Sequence, residues 1–451
     1  MNKVPGSSDA PGVLLVNPWI HDFAAFDYWA KPVGLLLLAA LLRSCGARVA
    51  YIDCLDRFHP RSTVAGRTKP DGRGPYQKTA IAKPPALAKV PRTWSRYGIR
   101  PQWLRRDLAR TPKPDLILVT SMMTYWYPGV RETIAELKRA FPDVPLALGG
   151  VYATLCPDHA RKVSGADLVL SGPGETAVFG LLKEYTGWRV KPDFDPDRLD
   201  TYPWPALDLQ RRLAYVPLLT GRGCPFRCAY CASFLLEENL RRRSPEAVME
   251  EIRHWHGNFG VRNFAFYDDA LLVDAQRHAL PLLEKIAASP LELAFHTPNA
   301  LHVRGIDRQV ARMLRRAGFQ TIRLGLETTA FEQRSQLDAK VTEMQFRQAV
   351  ANLKDAGFRA SQVGAYLLAG LPGQSFRAVA RSIEVVKSAG ITPVLAHYSP
   401  IPGTRLWPQA VAASPYDIAA DPLLTNNAIF PCRRQGFSWQ DLSRLKNLCR
   451  A

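Results

Sequence analysis

Three closely spaced cysteines are the residues of this chain best suited to bind a metal. Cys224, Cys228 and Cys231 stand at Cys-x3-Cys-x2-Cys spacing within residues 221–233. Thiolates favour zinc and iron–sulfur clusters, and four of them would complete a structural zinc site or a [4Fe-4S] cluster. Three thiolates leave one iron of such a cluster without a protein ligand, so a substrate or cofactor could bind there. The alternative is a zinc ion whose fourth ligand is a distant Cys or His.

The residues around the cysteines favour the iron–sulfur interpretation. An apolar run at residues 216–219 predicts a strand that ends directly before the loop. Gly221 and Gly223 permit a tight turn of the backbone there. Tyr230, an aromatic residue, directly precedes the third cysteine. Both the strand and the aromatic residue count against a simple zinc site.

The loop resembles the Cys-x3-Cys-x-aromatic-Cys signature of the radical S-adenosylmethionine (SAM) enzymes. This resemblance implies that the three thiolates hold a [4Fe-4S] cluster whose open iron chelates the amino and carboxylate groups of SAM. Reduction of the cluster would then cleave SAM to a 5′-deoxyadenosyl radical. The signature carries no information about the substrate.

The second half of the sequence predicts a partial (β/α)6 TIM-like barrel. Six apolar segments alternate with helical segments over residues 212–407, and the cysteine loop follows the first of them. In barrels of this kind the chemistry takes place at the carboxyl ends of the strands. We therefore expect the polar residues at these ends to surround the cysteine loop.

The family resemblance implies specific SAM contacts at the strand ends. Asp268 and Asp269, after the second strand, would receive the amino group of SAM. Arg323 and Glu327 lie on one face of the fourth strand. Arg323 would bind the carboxylate of SAM, since a guanidinium suits a carboxylate by bidentate geometry, and Glu327 would bind the ribose hydroxyls. The glycine loop after the fifth strand would approach the adenine. Ordinary ion pairing is the alternative for the four charged residues. The remaining implied SAM contacts are Tyr230 and Gly370.

Residues 12–190 predict a separate α/β domain, a doubly wound, Rossmann-like sheet of five parallel strands. Ligands of such sheets bind at the carboxyl ends of the strands, and glycine there exposes bare backbone. The candidate ligand-binding residues at these ends are Asn17, Ser121, Gly149, Gly150, Tyr152, Gly172, Gly174 and Glu175.

This domain resembles the cobalamin-binding domain that precedes many radical SAM barrels. In that family, glycine and Ser/Thr strand ends cradle the nucleotide tail of cobalamin. The Asp-x-His-x-x-Gly motif is absent, because Trp29 and Lys31 stand in place of Asp and His if Gly34 is its glycine. The resemblance therefore implies cobalamin without a histidine ligand at that place. The alternative is a domain that kept the fold and lost the cofactor.

A basic segment at residues 57–112 interrupts the alternation of strands and helices. It contains 14 Lys or Arg and 2 Asp or Glu, in a chain whose net charge is +19. Its aromatic residues include Tyr76, Trp94, Tyr97 and Trp103. We predict either a mobile lid or an insertion that packs its aromatic residues across the domain junction. Nucleic-acid binding by interleaved aromatic and basic residues is the less favoured alternative.

The length of 451 residues, 47% of them hydrophobic, is typical of a globular protein with two domains. The predicted ranges are 1–190 for the cobalamin-binding-like domain, 191–211 for a linker, 212–407 for the barrel and 408–451 for a short cap. No apolar run is long enough for a membrane-spanning helix, and the first residues lack the apolar core of a signal peptide. Eight cysteines in this length do not predict a disulfide scaffold. A second cluster drawn from Cys45, Cys54 and Cys156 is a less favoured alternative.

The residues and the resemblances together predict an anaerobic, cytoplasmic radical SAM enzyme. It would use a [4Fe-4S] cluster, SAM and cobalamin to methylate an unactivated carbon. The alternatives are a cobalamin-independent radical rearrangement or cyclisation, an RNA-modifying or RNA-binding protein that uses the basic segment, and a zinc-stapled scaffold without catalysis. The expected partners are a small-molecule or peptide substrate and an electron donor such as flavodoxin or ferredoxin, with no membrane.

Overall fold

The computed structural model describes residues 10–338, 340–433 and 437–450. These residues form two compact units. Residues 10–214 with Asp421–Leu423 make up the first unit, and residues 215–420 with the described residues from Leu424 onward make up the second. In this described part of the chain, no helix is both long enough and apolar enough to cross a membrane.

The first unit begins with a strand and continues through ten strands and six helices in all. Its elements are β1 (Gly12–Asn17), β2 (Ile20–Asp22), β3 (Phe26–Asp27), α1 (Val33–Ser44), β4 (Arg48–Asp53), β5 (Gly74–Pro75), β6 (Lys78–Ala80), β7 (Ser95–Tyr97), α2 (Pro101–Leu108), β8 (Leu116–Val119), α3 (Tyr127–Ala140), β9 (Leu146–Leu148), α4 (Val151–Leu155), α5 (Pro157–Val163), β10 (Leu168–Val169) and α6 (Gly174–Thr186).

Five parallel strands form the central sheet of this unit, in the order β10-β9-β8-β1-β4. β1 pairs with β4 on one side and with β8 on the other. It is buried from Val13 to Asn17, as expected of a parallel strand covered on both faces. The strand order reverses between β1 and β8, and ligands of doubly wound sheets bind at such a reversal. The predicted fold class of this unit is confirmed.

The helix predicted after β9 is divided in two by a proline. Cys156, between α4 and α5, has a φ of −134° and a ψ of 54°, outside the helical region. Pro157 explains the break, because its ring disfavours the helical conformation of the residue before it and it has no N–H to donate. The second helix therefore starts anew with Pro157 in its first turn.

The basic segment is folded onto the aromatic loop that follows β1. β7 pairs with β2 of that loop and with β6 of the segment, and β5 pairs with β3. Trp19 donates its indole N–H to the carbonyl of Ile99 at 2.7 Å, and the Tyr97 hydroxyl donates to the carbonyl of Phe23 at 3.1 Å. The four aromatic residues singled out in the segment are all buried. The segment is thus a structured part of the first unit, where the sequence predicted a mobile lid or a packing insertion.

Many of its cations lie over aromatic rings of the same unit. The pairs are Lys69 with Phe26, Arg73 with Trp29, Arg92 with Phe23, Arg96 with Trp19 and Arg100 with Trp103, at 4.5 to 5.7 Å from the ring centroids. Contacts of this kind are attractive because the face of an aromatic ring is electronegative. The high local charge therefore has a structural explanation that requires no nucleic acid.

Arg57 and Asp27 form an ion pair that joins the basic segment to the loop after β1. Their atoms lie 2.9 Å apart, and the two side chains are only 2% and 1% exposed. Arg57→Ala would leave a buried carboxylate without its cation, so we expect a loss of about 3–5 kcal/mol in unfolding free energy. Denaturant unfolding of the full chain measures this loss. Arg161→Ala, which removes a pair exposed by 56% and 86%, is the control and should cost less than about 1 kcal/mol. Equal losses in the two variants would contradict the prediction.

The segment predicted as a linker, residues 191–211, packs against the first unit. Ala206 donates its backbone N–H to the carbonyl of Leu36 at 2.9 Å, and it belongs to the same apolar core as α1 and α6. Leu207 is fully buried. Short 3₁₀ turns at Leu199–Thr201 and Leu207–Leu209 replace the extended conformation that the Pro- and Asp-rich composition indicated.

The second unit contains eight strands and eight helices among its described residues. Its elements are β11 (Val216–Leu218), β12 (Gly221–Arg222), α7 (Ser233–Leu236), β13 (Arg241–Arg242), α8 (Pro245–Phe259), β14 (Asn263–Phe266), α9 (Ala279–Ala288), β15 (Ala294–His296), α10 (Arg308–Arg316), β16 (Phe319–Glu327), α11 (Glu343–Asp355), β17 (Val363–Ala369), α12 (Phe376–Ser388), β18 (Thr392–His397), α13 (Trp407–Ala413) and α14 (Trp439–Arg450).

Six parallel strands form the sheet of the second unit, in the order β11-β14-β15-β16-β17-β18. Helices lie between consecutive strands, so the predicted partial barrel is confirmed. Side chains that the sequence supplies begin several of these helices. Ser244 accepts the backbone N–H of Ala247 before α8, and Thr342 forms a reciprocal capping pair with Gln345 before α11.

Candidate active site

The cysteine loop follows the first barrel strand. β11 ends at Leu218, and the short strand β12 then pairs with β13, which brings the chain back past the loop. Gly223 has a φ of 84°, and a Cβ on it would lie 2.4 Å from the carbonyl oxygen of Asn239. Only glycine fits such a position without strain. The tight turn expected before the first cysteine is thus present.

The three cysteines line one cavity of about 280 Å³. Cys224 and Cys228 are buried and Cys231 is half-buried. Burial raises the pKa of the Cys224 and Cys228 thiols, so a positive charge is needed to hold them as thiolates. Among the described residues, no three His, Cys, Asp or Glu side chains converge on the position of a single ion. The three thiols instead border a volume that suits a polynuclear cluster, and they are the residues that would hold it.

Residues that follow three neighbouring strands complete the cavity. Asp269 follows β14, His302 follows β15 and Lys340 follows β16. The ring atom Nδ1 of His302 is buried and has no hydrogen-bond partner in the described structure. Burial, aided by the charges of Lys340 and Arg304, lowers the pKa of His302 to about 3, so its ring is neutral. An unsatisfied polar atom at the wall of a cavity indicates that a bound group supplies the missing partner.

Asp269 lies where the sequence placed it, whereas Asp268 does not. Asp269 lines the cavity, and its carboxyl accepts a hydrogen bond from Ser233. Asp268 turns the other way and accepts the backbone N–H of Thr220 at 3.0 Å and its hydroxyl at 2.6 Å. The hydroxyl of Thr220 also lies 2.8 Å from Nε2 of His278. Asp268 therefore anchors the entry to the cysteine loop and is not among the described residues that line the cavity, so its contact with SAM stays a prediction.

Burial makes Asp268 a source of pH-dependent stability. Its pKa rises from 3.8 to about 6, although hydrogen bonds from Thr220 and Gly221 oppose the shift. Because the folded state binds this proton more tightly than the unfolded chain, the contribution to stability is complete below about pH 4 and is lost as pH rises through 6. We expect the stability of the wild type relative to Asp268→Asn to fall by about 3 kcal/mol between pH 4 and pH 7. Denaturant unfolding across this range tests the sign.

The control for this titration is Asp158→Asn, which changes a carboxylate that is 86% exposed. Its stability relative to the wild type should stay level over the same pH range. A wild-type advantage over Asp268→Asn that grows with pH would contradict the prediction.

Glu327 and Tyr230 meet beside the cysteine loop. Glu327 ends β16 with a φ of 61°, after a shift in the pairing register between β16 and β17. Its buried carboxyl accepts a hydrogen bond from Tyr230, and burial raises its pKa. A left-handed conformation at a residue other than glycine costs about 1–3 kcal/mol and is retained mainly at functional sites. Both residues thus remain candidates for SAM contacts.

Arg323 lies in another part of the barrel than predicted. Its Nη1 donates to the carbonyl of Ile322 at 2.9 Å and contacts that of Gln362 at 3.5 Å. Gln362 directly precedes β17, so the guanidinium is directed toward the amino ends of the strands. Arg323 is not among the described residues that line the cysteine cavity. Its contact with the carboxylate of SAM stays a prediction that this geometry does not support.

Gly370 stands directly after β17 with a φ of 95°. Its backbone N–H donates to Oε1 of Gln374 at 2.8 Å, which closes the glycine loop on itself. A Cβ at this position would lie 3.0 Å from the ring of Phe430. The close turn explains the glycine, and the contact with adenine stays a prediction.

Lys340, like His302, is a cavity residue that the sequence did not predict. It belongs to the connection between β16 and α11, where no motif and no periodic pattern distinguishes one lysine from the others. Its ammonium donates to the Tyr230 hydroxyl at 3.2 Å. Only the folding of that connection onto the cysteine loop brings it there.

The strand ends of the first unit present bare backbone at Gly149 and Gly172. A Cβ at either residue would meet nothing within 4 Å. Gly150 has a φ of 92°, and its Cβ would lie 2.3 Å from the carbonyl oxygen of Ser121. Two of these glycines thus border open space and the third allows close approach of two strand ends. This arrangement fits the cradle that the family resemblance implies for the nucleotide tail of cobalamin, and the contact itself stays a prediction.

The polar candidates at the same ends are engaged in the fold. Asn17 donates to Asp53 at 2.7 Å, and Ser121 donates to the carbonyl of Gly149 at 2.6 Å. Tyr152 is completely buried, with its hydroxyl 2.7 Å from Nδ1 of His159. These three residues support the strand ends from within, and the contact of Tyr152 with the cofactor stays a prediction. The two other candidates are Gly174, whose Cβ would contact Leu38, and the buried Glu175, both in the first turn of α6.

Trp29 and Lys31 hold the two positions that Asp and His would take in the absent motif. Trp29 is buried with a φ of 65°, and its indole donates to the carbonyl of Asp71 at 2.7 Å. Lys31, together with Asp53 and Asp56, lines a polar cavity of about 400 Å³ at the carboxyl end of β4. Neither motif position holds a histidine, although His59 lines the same cavity as Lys31.

Comparison with known proteins assigns both units. A model of the radical SAM superfamily matches residues 218–398, and a model of the B12 binding domain matches residues 104–182. The chain contains a radical SAM domain and a B12-binding domain. The two domains are those that bind a [4Fe-4S] cluster with SAM and that bind cobalamin, which confirms the predicted cofactors.

Two relatives and one solved structure show the kinds of protein to which this chain is similar. An uncharacterized methyltransferase of Pyrococcus horikoshii, PH0819, is 27% identical over 338 residues, which are 68% of this chain and 72% of that protein. The anaerobic magnesium-protoporphyrin IX monomethyl ester cyclase of Rubrivivax gelatinosus is 23% identical over 285 residues, 56% of this chain and 51% of the cyclase. The radical SAM methyltransferase TsrM of Kitasatospora setae, solved with cobalamin and a [4Fe-4S] cluster, has a TM-score of 0.68 at 17% identity and covers 97% of this chain and 91% of TsrM. The domain pair is that of the cobalamin-dependent radical SAM methyltransferases.

Proposed function

We propose that this radical SAM enzyme transfers a methyl group from SAM through cobalamin to an unactivated carbon of a small organic substrate. The observation that carries the proposal is the set of three thiols around one cavity in a chain that also has a B12-binding domain. When bound, the cluster and SAM supply a radical that removes hydrogen from the substrate, and cobalamin supplies the methyl group.

The protein's own residues hold and shield the reactants. The three cysteines would ligate the cluster, and Asp269 would accept the amino group of SAM because it lines the same cavity. Glu327, joined to Tyr230, would receive the ribose hydroxyls. His302 presents a neutral ring that can donate or accept one hydrogen bond to a bound group without adding charge.

A methyl-labelling experiment tests the proposal. The full chain would be reconstituted anaerobically with iron, sulfide and hydroxocobalamin, and then reduced in the presence of SAM that carries a deuterated methyl group and a fractionated extract of small metabolites. We expect a deuterated methyl group on a carbon of one metabolite, together with 5′-deoxyadenosine. The Cys228→Ala variant, which cannot hold the cluster, is the control. Labelled product formed equally by this variant would overturn the proposal.

A radical cyclisation is the second candidate function, because one relative is named as an anaerobic cyclase. In that case 5′-deoxyadenosine would form and the substrate would lose hydrogen, but no deuterium from SAM would enter the product. Mass spectrometry of the same reaction mixture separates the two functions, since only methyl transfer adds the label.

A small organic substrate is favoured over a peptide because the solved structure of TsrM contains tryptophan as its substrate. We further propose a low-potential electron donor such as flavodoxin or ferredoxin and an anaerobic, cytoplasmic setting, since cytoplasmic reductants keep thiols and clusters reduced. Turnover with each purified donor in place of a chemical reductant measures this preference. Failure of both donors to support turnover would contradict it.

A further inference from the structure

Lys340 is a half-buried cation beside the cysteine loop. It lines the cavity with the three thiols, its Nζ lies 5.5 Å from the centroid of the Tyr230 ring, and it donates to the Tyr230 hydroxyl at 3.2 Å. The ammonium is also within hydrogen-bonding reach of the Cys228 thiol.

The connection after β16 fixes the place of this ammonium. Leu337 accepts the backbone N–H of Ala229 in the cysteine loop at 2.8 Å. Asp338 accepts the backbone N–H of Lys340 at 3.2 Å. These contacts tie Leu337, which precedes the cation, to the cysteine loop, and the backbone of Lys340 to Asp338.

Arg334 holds Asp338 in turn. Its guanidinium forms two hydrogen bonds to the carboxylate, at 2.9 and 3.1 Å, and the pair is 3% and 0% exposed. The same guanidinium donates to the carbonyls of Leu326 and Thr328 at 2.5 and 2.7 Å. A paired, hydrogen-bonded network of this kind is rigid. The lysine is therefore held at the loop by the fold.

We propose that Lys340 is a positioning cation that donates a hydrogen bond to the Cys228 ligand of the [4Fe-4S] cluster and raises the reduction potential of that cluster. The inference rests on the cluster of the proposed function. Reduction adds one negative charge to the cluster, and a nearby ammonium stabilises the reduced form more than the oxidised form. Hydrogen bonds to the cysteine sulfurs act in the same direction.

The cation also compensates the charge of three thiolates in a buried loop. A [4Fe-4S] core with three thiolate ligands carries net negative charge, and Asp269 and Glu327 lie at or near the same cavity. Without a cation, these groups would repel one another in a medium of low dielectric constant. Lys340 supplies this compensation before SAM binds, so its effect should be measurable in the absence of SAM.

The test is a potentiometric titration of the full chain with its cluster loaded and without SAM, followed by electron paramagnetic resonance. We expect Lys340→Met to have a more negative midpoint potential than the wild type, and Lys340→Arg to remain close to it. The control is Arg347→Met, which removes a cation that is 62% exposed in a pair with Glu343 on α11. This control should leave the potential unchanged, because exposed charges are screened by solvent.

The outcomes distinguish a failure of the proposed function from a failure of the proposed role of Lys340. A wild-type chain that binds no iron would overturn the proposed function, whereas normal loading with equal potentials in the wild type and Lys340→Met would overturn the role of Lys340 alone. Equal potentials combined with weaker SAM binding in Lys340→Met would show that the ammonium holds the carboxylate of SAM instead. If Lys340→Met does not load iron, Lys340→Gln replaces it in the comparison with Lys340→Arg. Loading by the Arg variant alone would support the need for a cation, and equal potentials in Gln and Arg would overturn it.

Discussion

Replacement of Cys224, Cys228 or Cys231 by alanine is expected to remove the iron–sulfur cluster and with it all cleavage of SAM. Each thiol would ligate one iron, and among the described residues only these three cysteines line the cavity. Loss of one ligand leaves two irons without protein ligands in a cluster that binds the protein through three bonds. We expect iron per chain to fall to background after anaerobic reconstitution, with loss of the broad visible absorption of the cluster.

The matched control is Cys449→Ala. Cys449 lies on α14 and is half-buried, like Cys231, but it is remote in sequence from the loop and does not line the cavity. This variant should load iron and cleave SAM as the wild type does. Retention of a full cluster by two or more of the three loop variants would contradict the assignment of the cysteines as its ligands.

Gly149→Leu is expected to weaken cobalamin binding without a loss of stability. The backbone of Gly149 borders open space, so a side chain fits the folded protein but enters the volume that the nucleotide tail would occupy. An overpacked contact costs about 1–3 kcal/mol, which corresponds to roughly 10- to 100-fold lower affinity. The measurement is cobalt per chain after incubation with hydroxocobalamin and desalting, with thermal unfolding recorded in parallel.

Two further glycines serve as controls for this prediction. Gly180→Leu, on α6, also meets nothing within 4 Å and should bind cobalamin normally. Gly150→Ala should unfold more readily, because its φ of 92° and the 2.3 Å approach to Ser121 leave no room for a Cβ. Full cobalt binding by Gly149→Leu would show that this strand end is not the contact surface.

The cluster ligands and the fold class could be predicted because they depend on local patterns. Cysteine spacing is set along the chain, and a strand followed by a glycine turn is visible in a short window. The alternation of apolar strands and amphipathic helices restricts the topology to parallel sheets with right-handed connections. For this reason the six barrel strands and the five strands of the first unit were found at their predicted places along the chain.

The roles of individual polar residues were harder to predict. Asp268 and Asp269 are adjacent and chemically identical, yet one anchors Thr220 and the other lines the cavity. Arg323 and Glu327 were expected on one strand face, but the pairing register shifts between them, and the Arg323 guanidinium is directed toward the other end of the barrel. A long side chain can also turn toward a distant backbone carbonyl. Such differences depend on which donors and acceptors lie nearby in three dimensions.

The sequence by itself determined three features of this chain: three cysteines suited to a cluster, a barrel that carries them, and a preceding sheet whose strands end in glycine. These features follow from residue spacing and from hydrophobic periodicity. Only the tertiary structure decided that Lys340 lies at the cysteine loop, that Tyr152 is buried and that the basic segment packs its cations on aromatic rings. The physical reason is that contacts between residues far apart in the chain are selected by packing and by the pairing of buried charges.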